Sequence, residues 1–341
     1  MDSMAWSQTH AKLHTLLKKR ILLPKNSRVL MAVSGGQDSL CMARLLLDIQ
    51  PHWQWTLGLI HCDHRWREDA AANAAHVLAI ADEWHVPAQC VAADKAIQSE
   101  ASARAWRYET LAKAARLQGY DYVVCGHTMS DRAETVLYNL TRGTGLDGIA
   151  TLPWQRPIDD AAPPVSLVRP LLTFSRQETG DFCQRCHIPV WVDSTNASLN
   201  YRRNRIRQEL MPYLQEHFNP QVERSLAQTL ETAAADIAYL ESEAASIYKS
   251  VVSCVRDDLL EDDAQVWRIN QQSLREAPLS MQRRVIRRLL QRALARPPGF
   301  QDVEKVVGLL RSPNAAQCDS LAGNRIARVC KPFILIKRAN D

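Results

Sequence analysis

The stretch that decides the fold is Ser34-Gly35-Gly36-Gln37-Asp38-Ser39, which lies between two apolar segments. The segment before it, residues 29–33, is short and apolar enough to form a buried parallel strand. The segment after it, residues 40–49, fits a helix with one apolar face. Two glycines let the backbone approach a ligand closely, and a helix start offers unpaired N–H groups and a positive dipole end. The stretch therefore predicts a phosphate-binding turn between a strand and a helix.

The aspartate of this turn is a candidate metal ligand. Mg²⁺ binds carboxylate together with phosphate oxygens, so Asp38 is placed to hold Mg²⁺ against a bound phosphate. The chain contains no G-x-x-x-x-G-K-[ST] sequence, which excludes a Walker-type loop. The stretch instead resembles the S-G-G-x-D-S loop of N-type ATP pyrophosphatases, the PP-loop superfamily. The resemblance implies ATP binding by Ser34, Gly35, Gly36, Gln37, Asp38 and Ser39, with cleavage between the α and β phosphates. A plain Gly-Gly turn is the alternative.

Composition limits the class of protein. The 341 residues are 46% hydrophobic and 23% charged, which suits a globular chain of two or three domains. The net charge of +5 favours an anionic partner such as tRNA, although a mildly basic enzyme without one fits as well. Nine scattered cysteines argue against a disulfide framework and favour the reducing cytoplasm. No signal-peptide core and no apolar run of roughly 18 residues is present, so we expect no membrane partner.

Strand-like and helix-like segments alternate along the first part of the chain. Strands are predicted over residues 29–33, 55–60, 86–91, 120–125 and 165–169, with helices between them and a loop over 153–164. This alternation predicts an α/β fold with a doubly wound, parallel, five-stranded sheet, whose ligands bind at the carboxyl ends of the strands. From about residue 211 the pattern becomes mainly helical, with a small β element over 325–337. We therefore expect a catalytic domain over 1–215 and a second domain over 216–341.

A second polar cluster follows the fourth predicted strand. It reads Gly126-His127-Thr128-Met129-Ser130-Asp131-Arg132-Ala133-Glu134-Thr135 and opens a helix. Asp131 and Glu134 are three residues apart and therefore share a helix face. They are candidates to hold Mg²⁺ or to take a proton, while the alternative is two acids that merely stabilise the positive end of the helix dipole.

Four motifs, in this order, resemble the tRNA(Ile)-lysidine synthetase family. They are the turn at residues 34–39, His61-Cys62-Asp63-His64-Arg65-Trp66-Arg67 (family H-x-D-H-G-L-R), Glu100-Ala101-Ser102-Ala103-Arg104-Ala105-Trp106-Arg107-Tyr108 (E-x-x-A-R-x-x-R-Y) and residues 126–135 (G-H-x-x-D-D-x-x-E-T). Further matches follow at residues 169–172, 193–196 and 203–207. Two departures from the family pattern bear on the site. Arg65 replaces a glycine, and Ser130 replaces the first of two aspartates, which leaves Asp131 as the single acid of that pair.

The resemblance implies a ligase that joins free L-lysine to the cytidine at the first anticodon position of a CAU-anticodon tRNA(Ile). Cytidine O2 would attack the α phosphate of ATP, and the lysine ε-amine would then displace AMP. Asp38 and Asp131 are the implied catalytic residues. The other implied active-site residues are Asp63, His64, Arg67, Arg104, Arg107, His127 and Glu134. ATP and Mg²⁺ are the implied cofactors, and the sequence leaves a homodimer open.

Arginine clusters are candidate RNA contacts, because guanidinium groups form bidentate bonds with phosphate. Arg104 and Arg107 precede Tyr108, which offers a ring to a base, and Arg203, Arg205 and Arg207 form a dense group assigned to tRNA binding. Arginines at 283–292 lie at helical spacing and are a further RNA candidate. For each group the alternative is a salt-bridged or solvated helix face.

Other interpretations involve the cysteines and histidines. Residues 61–64 contain potential metal ligands, but neighbours on a strand end point in opposite directions, which disfavours a metal site. Cys183 and Cys186 form a lone C-x-x-C motif, and tRNA thiolases with the same loop can bear iron–sulfur clusters. A PP-loop tRNA thiolase and a catalytically inactive ATP- or RNA-binding module are therefore the competing hypotheses.

Overall fold

The structure is a computed structural model that describes residues 6–65, 68–95, 97, 99–149, 152–192, 199, 201–256, 265–318 and 320–338. The chain divides into two compact units, Met1–Ala233 and Ala234–Asp341. The expected domain division after residue 215 precedes this point and stays a prediction. None of the helices in these described ranges has the length and apolar character needed to cross a membrane.

A mostly parallel sheet forms the centre of the first unit. Its strands are β1 (Arg28–Ala32), β2 (Thr56–Asp63), β3 (Ala88–Ala92), β4 (Tyr122–Cys125), β5 (Gln155–Pro157) and β6 (Ser166–Val168), in the order β3-β2-β1-β4-β6-β5. All pairs are parallel except β5 with β6. The predicted α/β fold with five parallel strands is confirmed. The predicted loop over residues 153–164 is partly wrong, because three of its residues form the antiparallel edge strand β5, which is too short to show a strand periodicity.

Helices connect and cover these strands. They are α1 (Gln8–Arg20), α2 (Gln37–Trp53), α3 (Ala70–Glu83), α4 (Glu100–Leu117), α5 (Met129–Thr141), α6 (Leu146–Ile149), α7 (Arg176–Arg185), α8 (Arg202–Arg205), α9 (Met211–His217) and α10 (Val222–Val251). A π-helical turn, Ile206–Leu210, joins α8 to α9. Side chains of Ser7, Thr128 and Ser175 cap the starts of α1, α5 and α7, which explains where these helices begin.

Apolar side chains bury both faces of the sheet. On one face, Leu40 and Leu45 of α2 pack in a cluster with Met31 of β1. On the other, Leu111 of α4 packs in a cluster with Leu30 of β1. Successive residues of β1 therefore enter different cores, as a strand with helices on both sides requires.

Strand β2 is longer than predicted. His61, Cys62 and Asp63 continue the strand and pair with Cys90, Val91 and Ala92 of β3, whereas the sequence predicts an end at Ile60. Backbone pairing with β3 extends the strand through residues whose polar side chains suggest a loop. Asp63 therefore belongs to the sheet rather than to the connection that follows it.

In its described residues, the second unit contains a four-stranded antiparallel sheet and three further helices. The strands β7 (Val252–Arg256), β8 (Gln265–Asn270), β9 (Arg325–Cys330) and β10 (Phe333–Arg338) lie in the order β7-β8-β10-β9. The helices are α11 (Gln271–Glu276), α12 (Leu279–Ala293) and α13 (Phe300–Leu309). The predicted mainly helical part with a small β element is confirmed. Strands β7 and β8 are additions that the sequence does not predict, because β7 follows a long helix with no intervening turn residue.

We expect Gly126→Ala to destabilise the protein by about 1–3 kcal/mol, the cost of forcing an extra methyl into a packed site. A Cβ at this position would lie 2.8 Å from the Asp38 carbonyl oxygen and 2.9 Å from Ser39 Cα. Backbone atoms cannot rotate away, so the two segments must separate. Gly308→Ala in α13 is the control, because its Cβ would meet no described atom within 4 Å and alanine favours helices. Thermal unfolding of both variants measures the difference, and equal melting temperatures would contradict this packing argument.

Candidate active site

A cavity of about 530 Å³ lies at the carboxyl ends of β1, β2 and β4. Its lining includes Ser34, Gly36, Gln37, Asp38, Ser39, Cys62, His64, Arg107, Cys125, Gly126, His127, Asp131, Arg176, Trp191 and Arg207. The predicted turn after β1 and the predicted cluster after β4 therefore face one common space. Cavities of this size accommodate a small-molecule ligand such as a nucleotide.

The turn after β1 is held by contacts from outside it. Gly35 has φ +89°, and a Cβ there would lie 2.3 Å from Asn73 Oδ1. Asn73 Nδ2 donates to the Ser34 carbonyl at 3.0 Å, and the Trp191 N–H donates to the Gly35 carbonyl at 3.0 Å. Glycine is thus required both for its backbone conformation and for the close approach of Asn73.

Hydroxyl groups close the same turn from within. The Ser34 N–H donates to Ser39 Oγ at 3.1 Å, and Ser39 Oγ donates to the Gly36 carbonyl at 2.9 Å. No side chain of the described residues caps the start of α2, in contrast to α1, α5 and α7. An anion bound in the turn would accept from the first N–H groups of α2 and complete the missing cap.

Asp38 lies in the first turn of α2, and α7 supplies its partners. Thr179 Oγ1 donates to Asp38 Oδ1, and Arg176 Nη1 donates to Asp38 Oδ2 at 3.2 Å. Burial raises the pKa of Asp38 above its ordinary value despite these two partners, and the nearby Asp131 raises it further. Burial therefore makes the ionised form of this carboxyl less favourable in free energy than it is in water, as expected of a group that binds a cation.

Asp131 and Glu134 share one face of α5, as predicted, and both meet two arginines. Arg203 donates to Asp131 at 3.1 Å and to Glu134 at 3.2 Å. Arg207 donates to both carboxylate oxygens of Glu134, at 2.7 and 2.9 Å. Burial alone would raise the pKa of Asp131, but the neighbouring His127, the charges of Arg203 and Arg207 and the Thr128 amide lower it. Asp131 is therefore ionised at neutral pH and suits the binding of a cation better than the acceptance of a proton.

His127 lies in the lining between the two segments. Burial lowers the pKa of His127 to about 3, and the positive charges of Arg169 and Arg107 contribute. The imidazole is therefore neutral at physiological pH. It offers one donor and one acceptor to a ligand without adding charge to the cavity.

The remaining predicted residues have different placements. His64 lines the cavity, while Asp63 lies at the end of β2 and accepts the Arg65 N–H at 2.7 Å. Arg205 points to Glu209, four residues on, at 3.1 Å, away from the acids that Arg203 and Arg207 contact. Arg67 and the motif at residues 193–196 lie outside the described residues. The replacement of the family glycine by Arg65 predicts a loop that does not freely take a positive φ. This prediction is wrong, because Arg65 adopts φ +53°.

Four arginines surround Tyr108 beside the cavity. The guanidinium carbons of Arg104, Arg107 and Arg156 lie 5.3, 5.5 and 5.0 Å from the centre of its ring. The fourth, Arg169, is 1% exposed and donates to the Pro153 carbonyl at 2.8 Å. None of the four pairs with a carboxylate of the described residues, and the Nε atoms of Arg107 and Arg169 are buried without an acceptor there. This arginine cluster, residues 104, 107, 156 and 169, is a positive region without carboxylate partners in the part of the chain that the structure describes.

Several functional contacts involve residues that the sequence does not single out. Arg176 and Thr179 hold Asp38, Asn73 and Trp191 hold the turn, and Arg156 joins the arginine cluster. One signal for Asn73 exists in the sequence, since it is a lone amide among the alanines of α3. The others become visible only when distant segments are brought together.

The cysteines of the C-x-x-C motif lie at the end of α7. Cys183 is buried and its thiol donates to the Gln37 carbonyl at 3.4 Å. The Cys183 thiol beside Cys41, together with burial, raises the pKa of Cys41 far above its ordinary value. Within the described ranges, no three His, Cys, Asp or Glu side chains form a group suited to a metal.

Comparison with known proteins identifies the family. The model of the PP-loop domain matches residues 6–214. A protein of Nostoc sp. named tRNA(Ile)-lysidine synthase is 48% identical over 338 residues, which cover 98% of both chains. The chain belongs to the tRNA(Ile)-lysidine synthase family. A family member from Synechococcus sp. is 41% identical over 341 residues, the full length of both chains. The predicted family and the predicted ligase class of enzyme are confirmed.

A solved structure of much lower sequence identity has a similar fold. The U34-tRNA thiolase NcsA from Methanococcus maripaludis, with its [4Fe-4S] cluster, superimposes with a TM-score of 0.56. The match covers 67% of this chain and 78% of that chain, at 18% sequence identity. This likeness concerns the fold alone. The match to the PP-loop domain implies that this chain binds ATP.

We expect Asp38→Asn to reduce turnover strongly while stabilising the fold. Because burial raises the pKa of this carboxyl, the folded state holds its proton more tightly than the unfolded chain does. Stability is lost as the pH rises through the folded pKa, so at pH 7 the ionised group destabilises the protein. The amide removes that penalty and should raise the melting temperature at pH 7. The difference should shrink as the pH falls toward the ordinary value of 3.8.

Turnover of Asp38→Asn should fall by roughly 100-fold or more, the loss typical for removing one preorganised electrostatic group. Asp181→Asn, at an exposed position of α7, is the matched control and should change neither property. Differential scanning fluorimetry across pH and a turnover assay measure both effects. A lower melting temperature at pH 7 would show that the bonds from Arg176 and Thr179 outweigh burial.

Proposed function

We propose that the protein joins L-lysine to the cytidine at the first anticodon position of CAU-anticodon tRNA(Ile), with ATP converted to AMP and pyrophosphate. One observation carries the proposal. A single cavity is lined by the PP-loop, by the ionised Asp131 and by Arg107 of the arginine cluster. These groups suit the triphosphate of ATP, the ammonium of lysine and the phosphate of RNA respectively. The protein's membership of the lysidine synthase family supports the same substrates.

In the first step, the O2 oxygen of cytidine attacks the α phosphate, and pyrophosphate leaves. The uncapped start of α2 and residues 34–39 would hold the triphosphate, with Gly36 allowing close approach. Arg176 lies beside Asp38 at the same end of the cavity and would stabilise the negative charge of the leaving group. His127, neutral and half-buried, would orient the nucleotide through a hydrogen bond without competing for the phosphates.

The residues present fit the Mg²⁺ ion that the family implies. Asp38 and Asp131 both line the cavity, and the charge of Asp131 raises the pKa of Asp38, so the two carboxylates repel each other. A divalent cation relieves such repulsion, and Mg²⁺ takes carboxylate and phosphate oxygens. Asp38 would hold the ion. When bound, Mg²⁺ supplies charge neutralisation on the pyrophosphate.

In the second step, the ε-amine of lysine attacks carbon 2 of the adenylated cytosine, and AMP leaves. Asp131 would hold the lysine ammonium, because its lowered pKa keeps the carboxylate charged. Glu134 is 2% exposed and bound by Arg207, so it would act by orienting the arginines that neighbour Asp131. The ammonium must release a proton before its nitrogen attacks, and solvent water would accept that proton while the carboxylate of Asp131 stays ionised.

Three basic surfaces are proposed to bind the tRNA. The arginine cluster around Tyr108 would take a backbone phosphate next to the target base, since its charges lack carboxylate partners among the described residues. Arg203, Arg205 and Arg207 would contribute near the cavity, with Arg205 the most exposed of them. The predicted second domain, residues 216–341, would bind a further part of the tRNA through the arginines of α12, of which Arg288 and Arg292 lie near Tyr248.

The tRNA thiolase hypothesis is weaker, because the C-x-x-C cysteines serve the packing of α2 against α7 in the described residues.

The decisive assay contains purified protein, ATP, Mg²⁺, radiolabelled L-lysine and a CAU-anticodon tRNA(Ile). We expect lysine to become attached to the RNA, and no attachment when uridine replaces the first anticodon base. Sulfur transfer without lysine transfer, or no modification of any kind, would overturn the proposal.

We expect Arg156→Gln to weaken tRNA binding without affecting ATP. The substitution removes one phosphate-binding charge from the arginine cluster, so the KM for tRNA should rise several-fold. The slope of log affinity against log salt should become shallower by about one. The KM for ATP should not change. Lys113→Gln, at an exposed position of α4, is the matched control. Filter binding across a salt series measures this, and an unchanged salt slope would place the RNA phosphate elsewhere.

A further inference from the structure

The serine that replaces the first family aspartate has a carboxylate as its partner. Ser130 Oγ donates to Glu223 Oε2 at 2.7 Å, and Ser130 is 6% exposed. Glu223 lies in the first turn of α10, 93 positions further along the chain. A negative charge is therefore present beside α5 even though position 130 carries none.

The same serine also holds the start of α7. Ser130 Oγ accepts the backbone N–H of Arg176 at 3.1 Å. That amide is among the first of α7, where N–H groups have no partner within the helix. A hydroxyl has one proton, so donation to Glu223 leaves a lone pair to face the Arg176 amide. The carboxylate of Glu223 thus sets the direction of the hydroxyl.

Helix α7 carries both partners of Asp38 in its first turn. Arg176 Nη1 and Thr179 Oγ1 donate to the two oxygens of that carboxylate. Any displacement of the start of α7 would move both donors together. A continuous chain of hydrogen bonds therefore leads from Glu223 through Ser130 and Arg176 to the PP-loop aspartate.

We propose that Glu223 is a positioning residue for the ligase reaction. It supplies from α10 the carboxylate that the family pattern has at position 130, and it fixes α7 against Asp38 through the Ser130 hydroxyl. The kinetic effect that we infer rests on the proposed function. The contact between the Ser130 and Glu223 side chains is observed independently of that function.

A charge-relocation experiment tests the proposal in the full chain. Glu223→Gln removes the charge and should lower kcat for tRNA-dependent ATP–pyrophosphate exchange about tenfold, the effect of weakening one charge-assisted hydrogen bond. Ser130→Asp places a second carboxylate beside Glu223 and should also lower kcat, through repulsion. The double variant Ser130→Asp/Glu223→Gln has one carboxylate again, now at the family position. It should recover kcat to within about threefold of the wild type.

The KM for tRNA distinguishes a positioning role of Glu223 from a direct contact between Glu223 and the RNA. Because Glu223 acts through Arg176 and Asp38, the KM for tRNA should stay within about twofold in all three variants while kcat changes. Glu243→Gln, at an exposed position of the same helix, is the control and should match the wild type. A double variant no more active than Ser130→Asp, or a fully active Glu223→Gln, would overturn the inference.

Melting temperatures keep the test independent of the reaction. Ser130→Asp should melt below the wild type, and the added Glu223→Gln change should restore the loss, because like charges then no longer meet. If the wild-type protein attached no lysine, the proposed function would fail while this thermal coupling remained. If the wild type were active but the two substitutions were additive in both kcat and melting temperature, the inference alone would fail.

Discussion

The contact between Gly126 and the backbone of Asp38 and Ser39 is the constraint on which the site depends. At this point two connections of a parallel sheet meet with no side chain between them. The close approach brings the start of α5 beside the start of α2. The cavity therefore has the PP-loop on one side and Asp131 on the other. Neighbouring strands bring these segments to one edge, but only a glycine lets them touch.

Charge is distributed unevenly around this contact. Each acid near the PP-loop has a basic partner, since Arg176 meets Asp38 and two arginines meet Asp131 and Glu134. The arginine cluster around Tyr108 has no such compensation among the described residues. An anionic polymer would therefore be drawn to the arginine cluster, whereas the acids near the PP-loop are already paired with arginines. This polarity would orient the substrates before any reacting atoms meet.

Much of this arrangement could be predicted from the sequence, for reasons of local physical chemistry. The five parallel strands follow from short apolar segments alternating with helices, and α4 has the predicted bounds, Glu100–Leu117. The shared face of Asp131 and Glu134 follows from helical spacing, and Arg203 contacts both. Helical spacing does not reveal which residues from distant parts of the chain contact that face. Thr179 and Asp38 are 141 positions apart, and no periodicity connects them. Likewise, the sequence marks Ser130 as a departure but cannot show that α10 brings a carboxylate to it.

The hydrogen bonds around Gly35 have a consequence for engineering. The loop keeps its shape because Asn73 and Trp191, from two distant segments, hold the carbonyls on either side of its first glycine. The hexapeptide of residues 34–39, copied into another strand–helix junction, would lack these two hydrogen bonds. It would retain the composition of the loop but not a fixed geometry. The smallest transferable unit is therefore the sheet edge together with α2, α3, α7 and the segment at Trp191. The hexapeptide alone identifies this fold but does not reproduce the geometry of the loop.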